Sequence, residues 1–327
     1  MGSDAHLIVV GGRPGLLDAA ARRVGHLERL WSRFLEDSEL SELNRRAGTP
    51  VRVSPETAML VGRARDAWGL TKGAYDPTVL GAVIRAGYDR SFEHLGTGRP
   101  RATSSLDTGA EGIEIDGDTV RLPAGTGFDA GGIGKGLAAD LVAEHILAGG
   151  AEGVCVNLGG DVRVSGAGPA GGAWTVAVEH PWSPAPIANL GLAEGAVATS
   201  TTLRRRWQAG AETRHHLIDP VSGLPSDTDV SLATVVAAEA WAAEVLAKAV
   251  LLGGSARAVD VLSGTGAQAL VVEASGRVRS TPGLGALLGD VGLPSRLEPV
   301  AQPLAHIPGD SSPRQSPLSG RPPKVGP

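Results

Sequence analysis

Phe128-Asp129-Ala130-Gly131-Gly132-Ile133-Gly134-Lys135-Gly136-Leu137-Ala138-Ala139-Asp140-Leu141-Val142 sets the reading of this chain. Gly131, Gly132, Gly134 and Gly136 crowd around Lys135, directly before a helical apolar pattern at Leu137, Leu141 and Ile146. Glycine removes side chains where a backbone must turn tightly or approach a ligand. Lys135 adds a cation, and the N–H groups of the new helix point back at the loop. That combination suits a phosphate. The plainer alternative is a glycine-rich turn feeding a helix, with Lys135 in solvent. The block is not a P-loop, because Gly136 follows Lys135 where Ser or Thr is needed. It is not a dinucleotide fingerprint either, because Leu137 stands where the last glycine would fall, counted from Gly132.

Outward from this block, apolar periods predict a mixture of helices and strands. Leu7 to Val10 reads as a strand and Asp18 to Leu35 as a helix. A short helix follows Ser38, and Ser54-Pro55 opens another that runs to about Leu70. Thr71 to Pro77 is turn-rich, and Gly87 to Ser105 reads as a partly disordered loop. Ile113 to Leu122 alternates like a hairpin around Gly117. Strands are predicted over Gly153–Leu158, Val162–Ser165, Trp174–Glu179, Leu190–Ala198, Ser231–Val236 and Ala269–Glu273, with a last one near Val278. Helices are predicted over Ala237–Leu252 and Ala256–Ser263. Strands cluster without regular βαβ alternation, so the fold class is α+β. Residues 296–327 are rich in Pro, Ser and Gly and read as a disordered tail behind one domain over 1–290.

The totals exclude several classes. The chain has 327 residues, 42% of them hydrophobic, and a net charge of −5. It is long enough for a full core. Apart from Arg204-Arg205-Arg206 it has no basic run, which argues against nucleic acid. No apolar stretch reaches membrane-spanning length. With no signal-peptide pattern and no N-terminal cysteine for a lipid anchor, cytoplasmic residence is the expectation. Four lysines stand against thirty basic residues in all: Lys72, Lys135, Lys248 and Lys324. Arginine serves almost everywhere else, so each lysine marks a place where a compact ammonium was wanted.

Three further features carry possible chemistry. Cys155, the single cysteine, lies on an apolar strand and reads as a buried thiol. With no second cysteine and no Gly-x-Ser-x-Gly elbow, cysteine-bound zinc and serine-hydrolase chemistry have little support. His215-His216-Leu217-Ile218-Asp219-Pro220 offers a histidine as general base or ligand, or simply a capped turn with an exposed histidine. Glu244 and Lys248 lie four apart on a helix that is otherwise apolar. They form either a surface ion pair or two charges facing a site.

In this order the segments resemble the ApbE family of FAD:protein FMN transferases, over about residues 1 to 285. Met1-Gly2 is similar to the family's Met-Gly-Thr start. Ser38-Glu39-Leu40-Ser41-Glu42-Leu43-Asn44 looks like its early Ser-x-Leu-x-x-x-Asn segment. Gly73-Ala74-Tyr75-Asp76-Pro77-Thr78-Val79 is close to its Gly-Ala-Phe-Asp-Pro-Thr-Val. The opening block matches Asp-x-Gly-Gly-x-x-Lys-Gly. Asn157 to Asp161, Ala198-Thr199-Ser200 and His216 to Gly223 follow.

The resemblance implies an α+β flavin transferase fold with a mixed or antiparallel sheet and flanking helices. It implies FAD as donor, with magnesium bridging its pyrophosphate. A threonine or serine of an acceptor flavoprotein attacks the FMN phosphorus, and AMP leaves. It sets Met1, Phe34, Ala74, Tyr75, Asp76, Asp129, Lys135 and Ile218 around FAD, with Phe34 facing the isoalloxazine. It makes the Gly132 carbonyl and Glu244 metal ligands and His216 the general base; Lys248, which departs from the family pattern, is a catalytic candidate that either contacts phosphate or replaces part of the ion's charge. Two departures from the family pattern stand out. Glu244 and Lys248 replace its metal-binding Asp and Thr, and a protonated lysine cannot ligate a metal. Thr201-Thr202-Leu203 replaces its Gly-x-Tyr. An FAD pyrophosphatase and a non-catalytic flavin carrier are the competing expectations.

Overall fold

A computed structural model describes residues 3–95, 109–209, 212–288 and 293–294. The first part runs β1 (Ala5–Val10), α1 (Leu16–Trp31), α2 (Glu39–Arg45), β2 (Val51–Arg52), α3 (Pro55–Leu70) and α4 (Leu80–Arg85). Next come β3 (Glu114–Asp116), β4 (Thr119–Arg121), α5 (Gly134–Ala148), β5 (Gly153–Leu158) and β6 (Asp161–Gly166). β7 (Trp174–His180), β8 (Ser183–Leu192), β9 (Gly195–Thr201), β10 (Arg206–Ala209) and β11 (Glu212–His215) follow. β12 (Val230–Ala237), α6 (Ala240–Gly253), α7 (Ala258–Leu262), β13 (Gln268–Glu273) and β14 (Val278–Ser280) complete the set.

Seven strands form the central sheet in the order β1-β5-β6-β9-β12-β13-β14. Every neighbouring pair is antiparallel. β12 is buried from Val230 to Val236, so this sheet is covered on both faces. A continuous apolar run is the sequence mark of such a strand. One face carries α1, α5 and α6. α6 is apolar almost all round and accordingly central, with ten of its residues buried. The other face is covered by the β7–β8 hairpin, whose Trp174, Val176, Leu190 and Leu192 meet Val164, Leu232 and Val272. The class is α+β, with helices on one face of an antiparallel sheet.

α5 and α6 fit together through a close approach and two caps. A side-chain carbon on Gly136 would fall 2.7 Å from the Trp241 nitrogen, so only glycine lets the helices meet here. Asp140 of α5 accepts the Ala240 and Trp241 N–H groups at 2.8 and 2.9 Å. Glu244 of α6 accepts the Gly136 N–H at 2.8 Å. Each helix thus supplies the carboxylate for the other's N-terminus, where free N–H groups and the helix dipole favour negative charge.

The structure corrects several element boundaries. The helix expected to reach Leu35 stops at Trp31, where Ser32 turns extended and its carbonyl accepts the Ser38 hydroxyl at 2.7 Å. The strand expected over Leu190–Ala198 is two strands in different sheets, β8 and β9. The helix expected from Ala237 begins at Ala240, because Ala237 still pairs with Ala196 in the sheet. α4, β2 and the β10–β11 hairpin were not anticipated. Residues 96–105 of the loop expected over Gly87–Ser105 and the tail expected over 296–327 lie outside the described residues. Among the described residues no helix is long and apolar enough to cross a membrane.

Candidate active site

Segments far apart in sequence converge on the glycine block. Ser38 caps α2 by accepting the Ser41 N–H at 3.0 Å. That helix presents Asn44, which clamps the Phe128 backbone from both sides: its amide donates to the carbonyl at 2.9 Å and its oxygen accepts the N–H at 2.7 Å. The Asp129 N–H donates to the Pro77 carbonyl at 2.7 Å, and the Leu80 N–H to that of Gly127. The Tyr75-Asp76-Pro77-Thr78 turn therefore holds the entrance to the block. Asp76 shapes that turn, accepting the Thr78 N–H at 2.7 Å and its hydroxyl at 2.5 Å. An aspartate bonding its own backbone two residues on is a standard turn device.

The block forms the floor of a cleft with α6. Lys135, in the first turn of α5, pairs with Asp161 at the start of β6 and with Glu244 of α6. Burial disfavours the Lys135 charge, but the two carboxylates outweigh it and raise its pKa. Burial raises Asp161, with Lys135 opposing. Lys248 lies one helical turn beyond Glu244. Its ammonium sits over the Tyr75 ring, 5.9 Å from the centroid. It fills the space beside Gly132, where a side-chain carbon would lie 2.7 Å from Lys248 Cε and 3.0 Å from Tyr75 Cε2. Burial lowers the Lys248 pKa, against Asp129 and Glu244. The Tyr75 hydroxyl is buried without a hydrogen-bond partner, and burial keeps it protonated.

The walls bring an imidazole and a group of aromatic rings to the same cleft. His215 is occupied structurally: its Nε2 lies 3.1 Å from the Ser226 carbonyl, and its Nδ1 accepts the Leu217 N–H. His216 instead lines the cleft with its buried Nδ1 unpartnered. Burial, then the charges of Lys248 and Arg205, hold its pKa well below the ordinary histidine range. It is therefore neutral and able to accept a proton. At the mouth, the Arg33 guanidinium lies 4.2 Å from the Phe34 centroid and 4.7 Å from that of Tyr88. It donates to the Tyr88 carbonyl at 3.0 Å and approaches Asp129 at 3.3 Å. Tyr88 also stacks near Trp207, 5.7 Å between centroids. The chain has three phenylalanines and two tyrosines, so gathering Phe34, Tyr88, Phe92 and Trp207 here is a marked concentration.

Of the residues singled out in the sequence, Phe34, Asp129, Lys135, His216 and Lys248 line this one cleft. Gly132, Tyr75 and Glu244 lie directly behind them. Ala74 and Asp76 belong to the supporting turn, and the Asp76 carboxylate is occupied by Thr78. Ile218 is buried in an apolar cluster with Val83 and Tyr88. Met1 lies outside the described residues. Sequence reading missed Arg33, Tyr88, Arg205 and, as a site residue, Asp161. Asp161 stands inside a quoted motif and Arg205 inside the single basic run. Nothing in the sequence distinguishes Arg33 from its neighbours.

A model of the ApbE family matches residues 1–272. The chain belongs to the ApbE family. The FAD:protein FMN transferase of Vibrio cholerae is 29% identical over 262 residues, covering 76% of this chain and 78% of that protein. That of Treponema pallidum is 28% identical over 279 residues, covering 79% and 76%. The crystal structure of the ApbE protein from Thermotoga maritima superposes with a TM-score of 0.78 at 26% identity, over 88% of this chain and 96% of that one.

The magnesium expected of an ApbE protein does not fit these residues. Both oxygens of Glu244 are engaged, one by Lys135 and one by the Gly136 N–H. Lys248 has no lone pair to offer while protonated, and its ammonium fills the space beside Gly132. Among the described residues no three His, Cys, Asp or Glu side chains are grouped to hold a metal ion. The Glu244 carboxylate, expected as a metal ligand, is therefore already committed to Lys135 and to the Gly136 N–H. Glu244 anchors Lys135 and caps α5, and Gly132 makes room for Lys248.

Proposed function

We propose that this chain transfers FMN from FAD to a threonine or serine hydroxyl of an acceptor flavoprotein. The observation that carries the reading is His216. A neutral imidazole with a buried, unpartnered nitrogen lines the same cleft as the glycine block and Lys248. The aromatic mouth supports it further, since flat rings and an arginine plane suit an isoalloxazine or adenine.

In this reading the FAD pyrophosphate lies over the glycine block, at the N-terminus of α5. The acceptor hydroxyl oxygen forms a bond to the FMN phosphorus, and His216 takes the hydroxyl proton. The bond between that phosphorus and the bridging oxygen breaks. AMP departs with the electron pair, leaving FMN joined to the acceptor by a phosphoester. Lys135, fixed between Asp161 and Glu244, keeps the floor in register, and Arg33 steadies the mouth. Of the magnesium shell that the resemblance implies, the chain keeps only the Gly132 carbonyl and an engaged Glu244.

The test incubates the protein with FAD and a flavoprotein domain that displays an acceptor threonine. The expected product is a fluorescent acceptor band that survives denaturation, together with AMP. Free FMN and AMP with an unlabelled acceptor would make the protein a pyrophosphatase. Intact, bound FAD would make it a carrier.

A further inference from the structure

Lys248 is a half-buried ammonium on a helix whose one other charged residue, Glu244, is turned to Lys135. Among the described residues it makes no ion pair and no hydrogen bond; its near neighbours are the Tyr75 ring and Gly132. Removing a charge from water without a partner is costly, so such a group implies an anion that arrives from outside. Lys135 does not fill that role, because Asp161 and Glu244 already neutralise it. The space beside Gly132, at the entry to α5, is taken by the Lys248 side chain. An ammonium there repels a divalent cation and offers it no ligand.

We propose that Lys248 takes the place of a divalent cation on the FAD pyrophosphate, so that this chain binds and cleaves FAD without magnesium. The proposal rests on the flavin transferase reading and deepens it. During transfer, Lys248 stays protonated and neutralises the phosphate oxygens of the departing AMP; the acceptor's proton still goes to His216. Nothing beyond FAD and the acceptor hydroxyl is consumed. Gly132 is explained in the same terms: any side chain there would push the ammonium out of the floor. Tyr75 serves as the aromatic seat under the cation.

The test measures FAD affinity by flavin fluorescence, in excess EDTA and in excess magnesium. It compares the wild type with Lys248→Met, which keeps most of the length and loses the charge, and with Lys248→Thr. Released AMP is recorded separately, and thermal melts verify folding. The wild-type affinity should be the same in both buffers. Lys248→Met should lose about tenfold or more in both, the scale of one charged hydrogen bond. Lys248→Thr should lose as much in EDTA and recover part of it in magnesium. A wild-type affinity that collapses in EDTA and returns with magnesium overturns the lysine proposal while leaving the flavin reading intact. So does a Lys248→Met protein that folds and binds FAD as tightly as the wild type. Failure to bind FAD in either buffer overturns the flavin reading, and this proposal with it.

Discussion

At the scale of single residues, function depends on which polar groups the fold leaves unpartnered. His215 and His216 are adjacent and chemically alike, yet only His216 has a buried nitrogen without a partner. His216→Asn should slow FMN transfer about 10²- to 10⁴-fold, the usual range for a lost general base, with little change in FAD affinity. Rapid-quench kinetics beside a binding titration separate the two effects. The pH profile follows from the sign of the shift. The base form of His216 acts, and its pKa lies below the ordinary 6.5. Transfer is therefore retained as pH falls through 6.5 and is lost only below the lowered value. An acid limb in kcat/KM centred at or above 6.5 would contradict the assignment.

At the scale of elements, the pairing of α5 with α6 decides where the charges stand. Gly136→Ala should force these helices apart, because the new methyl meets the Trp241 backbone rather than a side chain that can swing away. Overpacking of this kind costs about 1–3 kcal/mol, visible as a Tm lowered by several degrees. An unchanged Tm would show that the close approach is not required. Asp140 gives a pH signature. Burial lifts its carboxyl from 3.8 to about 6 in the folded chain. The folded state then holds this proton more tightly than the unfolded state. Its stabilisation is full below about pH 4 and is lost as pH rises through 6. The stability gap between wild type and Asp140→Asn should be widest near pH 4 and narrow toward pH 7. Denaturant titrations at several pH values measure it, and a gap that widens with pH would refute the burial argument.

At the scale of the whole molecule, sequence and structure agree where local chemistry is decisive. Ser38 and Ser54 cap the helices that follow them. The glycine block opens α5, and apolar runs form the sheet. Disagreement begins where tertiary context decides. Alternation from Leu190 to Ala198 cannot reveal that the chain changes sheets, because both sheets bury the same face type. Glu244 four residues before Lys248 reads equally as a surface pair. Only the packing of α6 against α5 sends Glu244 to Lys135 and the Gly136 N–H, leaving Lys248 without an opposite charge in contact. Arg33 was illegible because its value lies in reaching Asp129, Phe34 and Tyr88 together.

The central claim is that this cleft delivers FMN to a protein hydroxyl rather than to water. The most direct measurement is the ratio of AMP released to FMN bound covalently by the acceptor, followed over time in the presence of a chelator. The account predicts one AMP for each labelled acceptor, at an undiminished rate. AMP accumulating with free FMN, or no AMP until magnesium is supplied, would contradict it.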